Sequence, residues 1–225
     1  MKEGNPKYLT EMSDGLLHEI NQKPYTGVLR TRFADGNIKS EEYYKDGLKD
    51  GKYSQWNDGG VLLSEKNYRN GLKHGRQHRM YGEGLVEYIY NYKDGKPINE
   101  FTDYYEDGNI ERKILFNDDG KKHGKCFNNF ENNKRHIEEE YENGKSIGQY
   151  KQWYENGNVN LIVNYENGVQ EGETRRYHEN GELHIKLFYK NGLEDGLQSN
   201  YDTDGKLIKT YLYSQGELID ASDGE

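Results

Sequence analysis

The chain has 225 residues, with 40 acidic against 31 basic side chains and a formal net charge of −9. Leu, Ile, Val and Phe together number 42, under a fifth of the chain, which excludes a thick two-layer core. The acidic balance disfavours nucleic acid and anionic membrane surfaces, since both ask for a basic face. The 21 Tyr carry apolar area that the aliphatic count omits, and they give such a chain something to pack with.

Residues 1–22 hold a partial copy of a unit that then repeats, with Ser13-Asp14-Gly15-Leu16 resembling its hairpin turn. They are read as a capping segment over the first edge. From residue 23 to 216 three glycine registers run along the chain. The first holds Gly47, Gly71, Gly95, Gly120, Gly144, Gly168, Gly192 and Gly216, in steps of 24 residues with a single step of 25. The second runs from Gly36 to Gly205, with Asn133 in one place. The third runs from Gly27 to Gly196, with Asn99 in one place. Asn is the residue after Gly best able to adopt φ > 0, so both replacements suit turns. The extra residue falls in FNDDG (116–120), where other copies read YKDG or YENG.

One copy shows the unit. QYKQWY (149–154) reads as a strand, ENGN as a turn and VNLIVNY (159–165) as the returning strand. A two-residue type I′ loop at Asn156-Gly157 pairs Tyr154 with Val159, Gln152 with Leu161 and Tyr150 with Val163 on one face. The other face then pairs Trp153 with Asn160, Lys151 with Ile162 and Gln149 with Asn164. The returning strand ends on an aromatic in every copy: Tyr44, Tyr68, Tyr92, Phe116, Tyr141, Tyr165, Tyr189 and Tyr213. Aliphatics follow the turn at Ile38, Leu62, Val86, Ile110, Val159, Leu183 and Leu207, and Arg135 breaks that column. The fifth copy is the weakest, with Cys126, Asn128 and Glu139 on its apolar face. Arg79, Asp103 and Arg176 interrupt that face elsewhere, so it is half-buried. Residues 217–225, ELIDASDGE, form a short acidic tail that blunts the last edge. The fold expected is all-β: an elongated, single-layer antiparallel meander of about eight 24-residue β-hairpin repeats, twisted and curled into a trough.

The unit G-x(4)-[WY]-[YFH]-x-N-G-x-[VIL]-x(5)-Y-x-N-G-x(3)-G resembles the MORN-repeat variant of bacterial proteins, often labelled YwqK-family antitoxins. The resemblance runs from about Tyr25 to Gly216. It implies a meander of hairpins and a binding role, with neutralisation of a toxin the usual suggestion. Ordinary MORN repeats have a Gly-rich Tyr-x-Gly-x-Trp strand and are associated with membranes, lipids or partner helices. This chain places Tyr at the strand end instead, which weakens any transfer of lipid binding.

Catalytic chemistry is thin. Cys126 is the single cysteine and has no base motif nearby, and it excludes an internal disulfide. His74 and His78 are four apart but fall in a link and a strand, so no metal site is expected. Asp202-Thr203-Asp204-Gly205 has the opening of a calcium loop without its later ligands, and it reads as a plain turn. No phosphate loop is present, and neither a cofactor nor a metal is expected. The start of the chain has no signal-peptide core and no stretch could span a bilayer, so a natural start here implies the cytoplasm.

What remains is binding a protein, a toxin or effector, through an extended surface whose charge attracts a basic partner. The candidate anchors are Trp56, Met80, Tyr104, Trp153, Tyr177 and Tyr201, each five residues after the third-register Gly or Asn. The competing reading stacks these side chains on one another as stiffeners. Two other functional classes stand beside an antitoxin or immunity protein. One is a structural scaffold or adaptor. The other is a carbohydrate or cell-wall module, whose Gly-Trp repeat starts and secretion signal are not seen.

Overall fold

The structure is a computed structural model that describes residues 1–12, 15–82 and 84–224. Its contacts separate two compact units, Met1–Asn109 with Asp118–Gly120, and Ile110–Asn117 with Lys121–Glu225. In the first, Gly27–Arg32, Ile38–Lys45, Leu48–Trp56, Leu62–Arg69, Gly75–Met80, Val86–Lys93 and Lys96–Tyr104 pair antiparallel in chain order. In the second, the strands from Ile110–Phe116 to Glu217–Asp223 do the same. The all-β antiparallel meander of hairpin repeats is the observed architecture.

Each repeat uses two kinds of turn. In the second glycine register, Tyr154 N–H donates to the Asn158 carbonyl (2.8 Å) and Gly157 N–H to the Tyr154 carbonyl (2.9 Å). This is a three-residue loop, a type I turn followed by a left-handed residue, here Gly157 at φ +99°. The same two bonds close the turns that start at Phe33, Asn57, Tyr105, Phe130, His178 and Asp202. The expected type I′ loop at Asn156-Gly157 is therefore corrected. Asn156 is not at positive φ, because its side-chain Oδ1 accepts the Asn158 N–H (2.8 Å) and holds the type I form. Asp35, Asp107, Asn132 and Asn180 do the same in their copies.

The loop change has a local consequence. Gln149–Asn164, Tyr150–Val163, Lys151–Ile162 and Gln152–Leu161 pair as expected. A bulge then sets Trp153 opposite Val159, in place of the expected pairs Trp153–Asn160 and Tyr154–Val159.

The type I′ turns sit in the links. Asn167 (φ +52°) and Gly168 (φ +88°) join the paired residues Glu166 and Val169. Gly168 N–H then donates to the Ser146 carbonyl (2.8 Å), one repeat back, and Gly192 to Gln170 and Gly71 to Lys49 likewise. The extra residue falls where Asn117 N–H meets the Lys121 carbonyl (2.9 Å), so that link is a three-residue loop. The insertion is absorbed by a change of turn type. Asp50, His74, His123, Glu171 and Asp195 each accept the N–H of the first residue of the following link turn.

The aromatic column lies directly across from the third-register glycines, as in Gly148–Tyr165 and Gly172–Tyr189. A Cβ on Gly148 would meet nothing within 4 Å, so its φ of +62° is what calls for glycine. Asn99 (φ +58°) and Asn133 (φ +62°) take the left-handed form expected of them.

Little is fully buried. Among the described residues the buried hydrophobic side chains are Tyr25, Val28, Cys126 and Val163. The eight column aromatics are half-buried. In the weak fifth copy, the Arg135 guanidinium lies 3.7 Å from the Phe127 ring centroid, so a cation–π contact stands where other copies place an aliphatic. At the start of the chain, Glu3–Gly4 pairs in parallel with Gly27–Arg32, and the fully buried Tyr25 donates its hydroxyl to the Val28 carbonyl (2.8 Å). Met12 and Leu16 make the loop-closing bond of the hairpin turns, while Ser13 and Asp14 lie outside the described residues. Residues Glu217–Asp223 form a fully exposed strand on Leu207–Ser214.

Gly168→Ala is expected to lower stability by about 1–2 kcal/mol in urea unfolding, because the link turn needs positive φ. Deletion of Asp118 restores the two-residue link and should leave the melting temperature nearly unchanged. Burial raises the pKa of Tyr44, Tyr53, Tyr88, Tyr150 and Tyr189 above the ordinary tyrosine value. The unfolded chain therefore releases these protons first. Their contribution to stability is complete below pH ~10 and falls as the pH rises further, which alkaline unfolding curves followed at 295 nm will show.

Candidate functional site

The candidate anchors share one structural position. Trp56, Met80, Tyr104, Trp153, Tyr177 and Tyr201 are each the last residue of an outgoing strand, before the three-residue loop. The bulge sets Trp56 opposite Leu62, Met80 opposite Val86, Trp153 opposite Val159, Tyr177 opposite Leu183 and Tyr201 opposite Leu207. Each of these five anchors thus pairs with the aliphatic that follows its turn, and all six candidates are half-buried. Among the described residues, Trp56, Trp153 and Tyr177 make no ring-to-ring contact. Ring stacking occurs elsewhere, in Tyr88–Tyr90 (4.5 Å) and Tyr90–Phe101 (4.3 Å).

The backbone under these side chains is tied to the neighbouring repeat. Tyr81 Oη donates to the Tyr104 carbonyl (2.7 Å) and Tyr154 Oη to the Tyr177 carbonyl (2.8 Å). His178 Nε2 lies 3.0 Å from the Tyr201 carbonyl, and a donating tautomer continues the row. The adjacent loops are acidic. In the first unit Asp35, Asp58, Glu106 and Asp107 are exposed there, and in the second Glu131, Glu155, Glu179 and Asp204 are. Each unit therefore has a strand-end edge where large side chains alternate with solvated carboxylates. The large side chains of this edge were legible in the sequence, and the carboxylates were legible only as turn residues. Their alignment beside the anchors needed the loop geometry.

The groups considered for catalysis have structural surroundings. Cys126 is 2% exposed, accepts the Leu115 N–H at 3.4 Å, and burial pushes its thiol pKa up. His74 and His123 cap link turns, and His74 Nδ1 also lies 3.2 Å from Asp94. Asp202 Oδ1 accepts the N–H groups of Asp204 (3.0 Å) and Lys206 (2.9 Å), so this oxygen closes its own turn. No group of three or more His, Cys, Asp or Glu among the described residues is placed to hold a metal ion. No described helix is long and apolar enough to cross a membrane.

The MORN repeat variant family matches residues 25–46, 49–70, 99–118, 147–167, 170–191 and 194–215, more than half of the chain. The fifth copy, with its Arg135 and Cys126, lies outside these matches. No curated protein matches the chain. One solved structure that resembles it is "Crystal Structure of TcdB2-TccC3-Cdc42", at 14% identity and a TM-score of 0.19. The match covers 84% of this chain and 14% of that one, so the chain spans a small part of its length, and a likeness this low carries no argument.

The buried thiol makes a direct expectation. Native protein should react with a disulfide reagent far more slowly than the urea-unfolded chain, in which one thiol titrates at once. Equal rates would place Cys126 at the surface.

Proposed function

We propose, since the chain belongs to the MORN repeat variant family, that it is a non-catalytic protein-binding array whose partner is a basic toxin, neutralised by occlusion in the cytoplasm. MORN repeats are protein- and membrane-binding repeats, and the family is not an enzymatic one. The observation that carries the reading is the strand-end edge. Half-buried Trp and Tyr side chains without ring partners stand beside a row of exposed carboxylates. Large aromatics that are already positioned lose little entropy on contact and make good anchors. Solvated carboxylates around them add little to affinity but attract a cationic partner and set its orientation. The net charge of −9 acts in the same sense. A scaffold or adaptor role uses the same surface and differs in the identity of the partner.

The test begins with affinity capture of the tagged protein from its native cell. A single stoichiometric basic partner, toxic when expressed alone and harmless when co-expressed, supports the proposal. Several unrelated partners assign the array to a scaffold. With the partner in hand, Trp153→Ala and Tyr177→Ala should each weaken binding by about 2 kcal/mol, roughly thirtyfold in Kd. Glu155→Lys with Glu179→Lys should slow association and flatten its salt dependence. If affinity and melting temperature fall together in the aromatic variants, the column stiffens the sheet and the anchor role is lost.

A further inference from the structure

The first unit also contains a cationic site, which reaches the Met80 end of its strand-end edge. Gln55, Ser64, Arg79 and Tyr88 form one cross-strand row, each opposite the next. The equivalent row of the second unit is Gln152, Leu161, Arg176 and Ile185. Ser64 thus stands where another copy has Leu161, and Tyr88 where another has Ile185. Two residues along the same strand, Lys66 occupies the position of Val163 and Leu187. Val163 is 4% exposed, so the position accepts an aliphatic readily.

These replacements gather around a depression of about 470 Å³ whose lining includes Gln55, Ser64, Lys66, Arg79 and Tyr88, together with Glu87, whose carboxylate is held by Arg79. That is the size of a small-molecule site. Two of its groups are unsatisfied. Ser64 is 4% exposed and its hydroxyl has no hydrogen-bond partner among the described residues. Lys66 is half-buried and, among the described residues, has neither a hydrogen bond nor an ion pair, only the Tyr53 ring centroid at 5.7 Å. The neighbouring cations have been compensated: Lys49 by Glu42 (2.8 Å), Arg79 by Glu87 (3.0 Å) and Lys73 by the Tyr92 ring at 4.9 Å. Burial, and then Lys73, Lys49 and Arg79, pull the Lys66 ammonium below the ordinary lysine range. A half-buried cation facing like charges is destabilising where repeats of the same chain place Val or Leu. An anion in the depression would remove that cost.

We propose that this depression binds an oxyanion, a carboxylate or phosphate on a small organic body. Lys66 Nζ supplies the charge, Ser64 Oγ a hydrogen bond, and the Tyr88 ring a flat wall for the body. The same chemistry is offered by a free small acid and by an acidic side chain of a bound protein.

The full-length protein is titrated with inorganic phosphate, benzoate and N-acetyl-glutamate amide, followed by ¹H–¹⁵N correlation spectra. Saturable shifts confined to residues of this row are expected from at least one probe. Lys66→Val and Ser64→Leu restore the residues of other copies, so they should keep or raise the melting temperature. Each should weaken probe binding by roughly tenfold or more, the loss of one hydrogen bond to a charged group. Lys190→Ala, an exposed lysine of the second unit, should change nothing. Benzoate or phosphate binding without the blocked glutamate identifies a free small acid as the source, and the reverse identifies a protein carboxylate. No saturation by any probe, or equal binding by Lys66→Val, overturns the site. Trp153→Ala should leave probe binding unchanged, so this site and the strand-end edge can fail separately.

Discussion

The hydrogen bond from the glycine of each two-residue link to a carbonyl one repeat earlier is the interaction on which the rest of the structure depends. Gly168 to Ser146 and Gly192 to Gln170 are two instances. The bond joins backbone to backbone, so it does not depend on which side chains a copy carries. It requires a two-residue turn with both residues at positive φ, which Asn-Gly and Asp-Gly supply at little steric cost. Once links are stacked at a fixed spacing, strand register follows, and with it the alternation of faces. The capping side chains Asp50, His74, His123, Glu171 and Asp195 differ in type but all accept the N–H of a link residue. That shared acceptor role explains why acid and imidazole interchange there.

A backbone framework of this kind relaxes the demand for a core. Four hydrophobic side chains are buried among the described residues, and the faces between turns are held by half-buried tyrosines. Several of these rings also receive cations, as Tyr53 does from Lys49 and Tyr141 does from Lys122. Such contacts tolerate solvent, which suits a single sheet. The same tolerance lets individual copies diverge. The fifth accepts Cys126 and Arg135, and the second accepts Ser64 and Lys66, with the backbone pairing unchanged in kind.

Divergence within a regular frame is what gives each unit distinct surfaces. The strand-end edge is repetitive, because its large side chains and carboxylates sit at fixed distances from the turn glycines. The depression beside Lys66 is local, because it arises from departures in one strand and its neighbours. A repetitive edge suits an extended macromolecular partner, whereas a local depression suits a compact group. The two carry opposite charge, so they select for different chemistry.

The sequence by itself determined the repeat, its period, the strands, the aromatic column and the residues of the candidate edge. Glycine spacing and period-2 alternation are local properties, and they survive without knowledge of neighbours. It also located the inserted residue in a link. Tertiary structure decided which of the two Asn-Gly pairs is type I′. The dipeptide at 156–157 and that at 167–168 read alike, but Asn156 uses its side chain to hold a type I turn, whereas Asn167 takes positive φ beneath a stacked neighbour. That choice placed Trp153 opposite Val159 and not Asn160. The unpaired state of Lys66 was also hidden in the sequence, where a lysine on a strand reads as solvated. Whether a charge has a partner depends on residues from several strands, and only the folded arrangement brings those together.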